Sequence, residues 1–246
     1  MSLLIALQFL TAIPVKVSGE IGSKEFGRAM AWFPAVGLFL GGVLALADLA
    51  TRAFLPPAVS AAIVLALWVL LTGALHLDGL MDCCDGLLAA RDPEKRLAIL
   101  RDTHMGAFAV VGAICALLIK FALLLEFPAS GRTAALLAVP ALARAAMVYA
   151  ARAHPYARPG PGLGQLFRDG LSWRQVAMAA AAAIAVALMA LGVAGLALVA
   201  AVWLMTAIIA WWVQRRIPGL TGDVYGAINE LTEIGALLFL MMIVPA

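Results

Sequence analysis

Long apolar stretches separated by short polar ones recur along the whole chain. A bilayer core roughly 30 Å thick takes about 20 mostly apolar residues as a helix. Six stretches meet or approach that length, at about 29–50, 57–76, 105–125, 133–151, 175–191 and 193–213. A seventh, at about 231–245, is shorter, which predicts a tilted or only partly spanning segment, and the first fourteen residues are expected to lie in the interface or to re-enter. The Ala-rich run 177–187 predicts close packing of small residues between helices. The reading is an all-α, polytopic transmembrane bundle of about six to seven spanning helices, forming one domain over 1–246. No internal repeat is evident, which weakens the case for an inverted-repeat transporter.

Composition agrees: 65% of the 246 residues are hydrophobic and 13% charged, with a mean hydropathy of +1.03, far from the usual balance of soluble domains. The apolar segments recur too often to be a cleavable leader, and the first lacks a basic flank. Cys83, Cys84 and Cys115 offer neither a disulfide framework nor metal-ligand spacing. The net charge of +3 is most useful for topology. Lys16, Lys24, Arg28, Arg91, Lys95, Arg96, Arg101, Arg152, Arg158, Arg168, Arg174, Arg215 and Arg216 all fall in alternate loops, whereas the opposite loops hold only Arg52 and Arg132. Thirteen basic residues against two predict that the long polar loops are cytoplasmic. Lys120 and Arg144 fall inside predicted spans, where an ionisable side chain is a functional candidate or is matched by a partner on another helix.

The chemistry concentrates in His76-Leu-Asp-Gly-Leu-Met-Asp-Cys-Cys-Asp-Gly86. Asp78, Asp82 and Asp85 stand at i, i+4 and i+7, within an arc of roughly 60° on a helix. Three carboxylates on one stripe repel, and at the end of a membrane span they also lose hydration. A bound cation resolves that conflict, and Mg2+ suits it, since one or two carboxylates with substrate phosphates commonly hold it. A solvated acidic helix end is the plainer alternative, but Leu77, Leu80, Met81 and Leu87 interleave with the aspartates. Downstream, Arg101 and Asp102 precede the next span, where a guanidinium for phosphate and a further carboxylate are well placed. Asp223 and Glu230 stand seven apart in a second acidic segment that carries glycines at 219, 222 and 226, and Asp223 is also a candidate helix N-cap. The loop glycines at 160, 162 and 164 offer backbone N–H groups to phosphate without the context of a P-loop. His76 and His104 flank the acidic segment as candidate proton carriers or phosphate contacts.

Taken together the chain resembles the cobalamin 5′-phosphate synthase, or adenosylcobinamide-GDP ribazoletransferase, family almost end to end. The resemblance rests on Leu7-Gln-Phe-Leu-Thr with Ile13-Pro14, Phe33-Pro-Ala-Val-Gly37, Leu75-His-Leu-Asp-Gly79 through Asp82 to Asp85-Gly86, and Asp102 with Gly106. It continues in Arg158-Pro with Gly162-Leu-Gly164, and in Thr221-Gly-Asp223 with Gly226 and Glu230. The chain departs from the family pattern at Met81, Cys83 and Cys84, where small residues are usual, and at Ala12 and His104, where Arg is frequent; these touch secondary contacts rather than the aspartates. The resemblance implies an inner-membrane, multi-pass transferase with cytoplasmic active-site loops. Its reaction would join adenosylcobinamide-GDP to α-ribazole 5′-phosphate, or to α-ribazole, releasing GMP, with Mg2+ required. Asp78, Asp82, Asp85 and Asp102 are then the expected catalytic residues, with Asp223 joining Asp78, Asp82 and Asp85 around the metal and Asp85 favoured as proton acceptor. His76, Arg101, His104, Arg158, Gly162, Gly164, Asp223 and Glu230 are expected to bind substrate. The lipid bilayer is an expected partner and nucleic acid is not, and the sequence leaves a homo-oligomer open. A CDP-alcohol phosphotransferase of lipid synthesis is the runner-up, although Asp78-Gly-Leu-Met lacks the Ala-Arg its pattern wants; a cation-coupled transporter is the alternative from another class.

Overall fold

Apolar segments in hydrocarbon become helices because every backbone N–H and C=O needs a partner within the segment. The computed structural model describes residues 1–17, 19, 21–89, 92–102, 104–158 and 169–244. Among them lie eleven helices: α1 (Ser2–Leu10), α2 (Ser23–Met30), α3 (Phe33–Arg52), α4 (Pro57–Leu71), α5 (Leu75–Ala89), α6 (Pro93–Ile99), α7 (Ala107–Glu126), α8 (Ala129–Ala153), α9 (Trp173–Leu191), α10 (Ala194–Gln214) and α11 (Gly222–Ile243). Six of these, α3, α7, α8, α9, α10 and α11, are each long and apolar enough to cross a bilayer. The protein is a polytopic helical membrane protein.

Two segments differ from the hydropathy reading. The predicted span 57–76 stops at Leu71, and α4 and α5 together pass as a span but are bent by 87°. Gly73 (φ +59°) and Ala74 (φ +57°) make the bend, and the left-handed conformation is unfavourable for the alanine. The freed Leu71 carbonyl accepts from the Ala12 N–H at 2.8 Å, which fixes the chain after α1 against the bend. At nine residues, or about 14 Å, α1 is too short to cross. The last segment, read as short, is a helix of 22 residues beginning at Gly222. Its polar residues Asn229, Glu230, Thr232 and Glu233 are buried against other helices, so they interrupt the hydropathy signal without interrupting the helix.

α8 is the core of the bundle, with nearly every residue from Ala135 to Ala151 buried. Gly37 and Gly41 of α3 bring that helix into backbone contact with α8 at Pro140, Ala141 and Leu136. Pro140 has no N–H to offer Leu136 O, and Gly41 lies directly against that carbonyl. On α9 the buried Ala179, Ala183 and Ala187 form a small-residue seam, as the Ala-rich run predicts.

Lys120 and Arg144 find their partners on α11. Lys120 Nζ donates to Glu230 Oε2 at 2.7 Å and to Glu233. Arg144 donates to Glu233 Oε1, which also accepts from Asn229 Nδ2 at 3.0 Å. His76 Nδ1 is 3.4 Å from Arg144 Nη2, and Lys120 stands 4.6 Å over the Trp68 ring. This buried cluster of two cations and two anions ties together α4, α5, α7, α8 and α11. Arg132, expected in an outer loop, is instead inside α8, where Nε donates to both oxygens of Asp48 at 2.8 Å.

Candidate active site where α5 meets α11

Because α5 is continuous from Leu75 to Ala89, Asp78, Asp82 and Asp85 do share a face. Burial grades along it: Asp78 is exposed, Asp82 half-buried and Asp85 buried. Two glycines bring α11 to this helix. A Cβ on Gly79 would lie 2.7 Å from Asp223 O, and one on Gly226 would lie 3.1 Å from His76 O. The backbones therefore touch, and Asp223 joins the aspartate face. Asp82 feels the charge of Asp223, then of Asp78, Arg158 and Asp85.

A short pairing of distant segments sets Arg158. Leu220 N donates to Pro155 O and Ala157 N to Leu220 O, both at 2.8 Å, with Tyr156 bridging Leu220 in parallel fashion. Gly219 permits the approach, since a Cβ there would lie 2.9 Å from Ala157 N. Arg158 Nη2 then donates to Asp223 Oδ2 and to Leu100 O, each at 2.7 Å. Thr221, rather than Asp223, is the N-cap of α11, accepting from Val224 N at 3.4 Å and donating to Asp223 Oδ2 at 3.2 Å.

Asp85 is committed differently from its neighbours. Its Oδ2 accepts from Gly106 N at 2.6 Å and its Oδ1 from Ala109 N at 2.9 Å. Gly106 has no side chain to cap α7, so Asp85 does so from α5, where a carboxylate also suits the helix dipole. A Cβ on Gly106 would sit 2.7 Å from Asp85 Oδ1. Asp102 turns outward: Oδ1 accepts from His104 N at 3.0 Å and meets Nδ1 at 2.6 Å, and this bond holds its carboxyl below the usual range. Asp102, His104 and Arg101 are all exposed. His76 and Glu230 face the buried cluster instead of the aspartates. Gly162 and Gly164 lie outside the described residues.

The geometry therefore assembles Asp78, Asp82, Asp223 and Arg158 into one rim and assigns Asp85 to its foundation. Among the described residues, Asp78 and Asp82 have no hydrogen-bonding or ion-pair partner, and no three His, Cys, Asp or Glu side chains converge tightly enough to hold a metal by themselves. Tyr156, which the sequence reading passed over, feels Arg158, Asp223 and Arg101, and burial above all raises its hydroxyl beyond the ordinary phenol value. It stays protonated at neutral pH. Only its position two residues before Arg158 hinted at this.

The sequence profile described as Cobalamin-5-phosphate synthase matches residues 2–241. The chain belongs to that family. Curated relatives named adenosylcobinamide-GDP ribazoletransferase agree over nearly full length. The protein of Geotalea daltonii is 39% identical over 97% of this chain and 96% of its own, that of Pseudomonas paraeruginosa 42% over 98% of each, and that of Acetivibrio thermocellus 35% over 94% and 93%. No solved structure matches the chain. As a cobalamin-5-phosphate synthase family member the protein is a membrane transferase of cobalamin synthesis, which sets aside the lipid phosphotransferase and transporter readings.

Proposed function

We propose that this transferase joins adenosylcobinamide-GDP to α-ribazole 5′-phosphate, or to α-ribazole, releases GMP, and requires Mg2+. The observation that carries this reading is the charge imbalance at the rim: among the described residues, Asp78, Asp82 and Asp223 face one hydrogen-bonded guanidinium, Arg158. Such an excess of carboxylate oxygens suits a hard divalent cation that shares its shell with substrate phosphates and water. Asp78 and Asp82, without other partners among the described residues, would hold it, with the second oxygen of Asp223 within the same rim. The ion would supply charge neutralisation on the pyrophosphate.

The remaining work belongs to the chain's own groups. Arg158, pinned by Leu100 O and Asp223, presents a fixed guanidinium to a phosphate oxygen. The protonated Tyr156 hydroxyl donates to the same anionic region. The ribazole hydroxyl oxygen forms a bond to the phosphorus attached to the corrinoid, the bond from that phosphorus to GMP breaks, and the hydroxyl proton passes to a carboxylate. A rim carboxylate oxygen that the ion leaves uncoordinated is a better acceptor than Asp85, because both Asp85 oxygens already hold backbone N–H groups. The ends of α8 and α10 and the starts of α7 and α11 all lie on the side of the basic loops, which supports a cytoplasmic active site in the inner membrane.

The test is direct. Purified protein in liposomes receives adenosylcobinamide-GDP and α-ribazole 5′-phosphate with Mg2+ or with EDTA, and GMP and corrinoid products are followed by mass. Metal-dependent appearance of both products is expected; metal-independent turnover removes the Mg2+ assignment, and no product from folded protein removes the reaction.

A further inference from the structure

The face of α5 opposite the aspartates forms one wall of a cavity of about 310 Å3, whose other walls are α10 and α11. Its lining is apolar throughout and includes Leu80, Leu87, Val224, Ala227, Ile208 and Trp212. Such a volume is at the lower end of small-molecule sites. No polar side chain lines it to orient a substrate, and it lies across α5 from Asp78 and Asp82. Two residues of its lining, Leu88 and Ile208, are 52% and 54% exposed. Ile208 belongs to the spanning helix α10, so its exposure is to lipid and the cavity opens sideways to the bilayer on that side.

One end of this cleft is strongly basic. The Arg216 guanidinium lies 3.5 Å over the ring of Trp212, which lines the cleft, and that of Arg215 lies 4.2 Å over Trp211. Arg216 Nη1 donates to Trp212 O at 2.9 Å, and Arg96 reaches in from α6 to Arg216 O at 3.3 Å. Among the described residues no carboxylate pairs with Arg215 or Arg216. Desolvation and then the Arg96 charge lower the pKa of Arg216. Tryptophans bearing arginines are groups that settle at headgroup level.

We propose that the cleft between α5, α10 and α11 binds one acyl chain of an anionic phospholipid, whose phosphate rests on Arg216 and Arg215. A molecule anionic at one end and hydrocarbon at the other matches both halves of the site, and a free phosphate matches only one. The occupant would back α5 on the side away from its aspartates, independently of the reaction assigned above.

Native mass spectrometry of the intact protein, released from bilayers with equal amounts of phosphatidylglycerol and phosphatidylcholine of one chain length, tests this. At roughly one Coulombic increment per arginine near the surface, a preference of about fivefold or more for phosphatidylglycerol is expected. Arg215→Gln with Arg216→Gln should bring it to parity. Water-soluble glycerophosphoglycerol at millimolar concentration should leave the lipid bound; its full displacement would show a headgroup site without a chain and overturn the proposal. For the unaltered protein, phosphatidylglycerol with brominated chains should quench tryptophan fluorescence more than the brominated phosphatidylcholine does, and most of the excess should vanish in Trp212→Phe. Equal retention and equal quenching by the two lipids would mean ordinary solvation by the bilayer and would sink the idea.

Discussion

One helix, α11, contributes acids to two charged regions that obey opposite rules. Inside the bundle, Glu230 and Glu233 meet Lys120 and Arg144, two charges against two, all nine-tenths or more buried. At the rim, Asp78, Asp82 and Asp223 meet one arginine among the described residues and keep access to water. A buried cluster has to balance, because an uncompensated charge in a low dielectric costs several kcal/mol. A rim has no such requirement, and an imbalance there is what a cationic ligand or a metal-bound phosphate completes. Acidic residues seven apart, Asp223 and Glu230, thus belong to different machinery: one to the site and the other to the frame that holds it.

The largest effect should come from removing rim charge. Asp78→Asn and Asp82→Asn are each expected to lower turnover by at least about 100-fold, the scale of losing one electrostatic stabiliser. Thermal unfolding in detergent should be unchanged or slightly raised, because each substitution relieves repulsion among like charges. Normal activity in both variants would break the contrast between the regions from one side, and unfolding of both would break it from the other.

The frame should respond in the reverse way. Lys120→Met leaves Glu230 buried without its cation, and a loss of about 3–5 kcal/mol is expected, read as a fall in yield and melting temperature. Lys120→Met with Glu230→Met removes a cation and an anion together and leaves Arg144 with Glu233. Recovery of much of the lost stability in the double variant would confirm that balance is what matters. A double variant as unstable as the single one would show that the hydrogen-bond geometry matters more than the charge count.

How much of this the sequence disclosed depends on how far apart the partners are along the chain. Spans were legible because hydrocarbon demands long apolar runs, and the aspartate face because i, i+4 and i+7 lie within one helix. The start of α11 was not, since its acids look like a helix end until partners 110 and 89 residues away, Lys120 and Arg144, are in view. Asp85 reads as a third equivalent carboxylate, and only the N–H groups 21 and 24 residues downstream reveal a cap. Likewise the glycines after Asp78 and Asp85 carry no meaning alone: Gly79 lies against Asp223, and Gly86 against the Leu100 side chain.

That difference among the three aspartates gives the next test. Asp85→Ala should cost about 1–2 kcal/mol of stability through the lost cap, with activity falling less than in Asp82→Asn when both are assayed below their melting range. Gly106→Ala, which crowds the same carboxylate, should resemble Asp85→Ala. If Asp85→Ala melts normally yet loses activity as completely as Asp82→Asn, Asp85 belongs with the rim and not with the frame.

The smallest effect lies where α8 and α10 end beside the rim. His154 Nδ1 is 3.0 Å from Gln214 Nε2, and its Nε2 is buried with no hydrogen-bond partner. Burial lowers its pKa below the ordinary histidine value, opposed by the contact with Gln214. A depressed pKa means that the folded protein favours the neutral ring. This contribution is therefore fully present above about pH 6.5, the ordinary histidine value, and is lost as the pH falls below it towards the folded value. The ring is partly exposed, so solvent screening keeps the effect small: a fall of about 2 °C or less in melting temperature between pH 7 and pH 5. His154→Gln cannot titrate and should flatten that part of the profile, while the acid-side loss of stability that remains reports the ion-paired carboxylates of the buried cluster. An unchanged profile in His154→Gln would assign the whole slope to them.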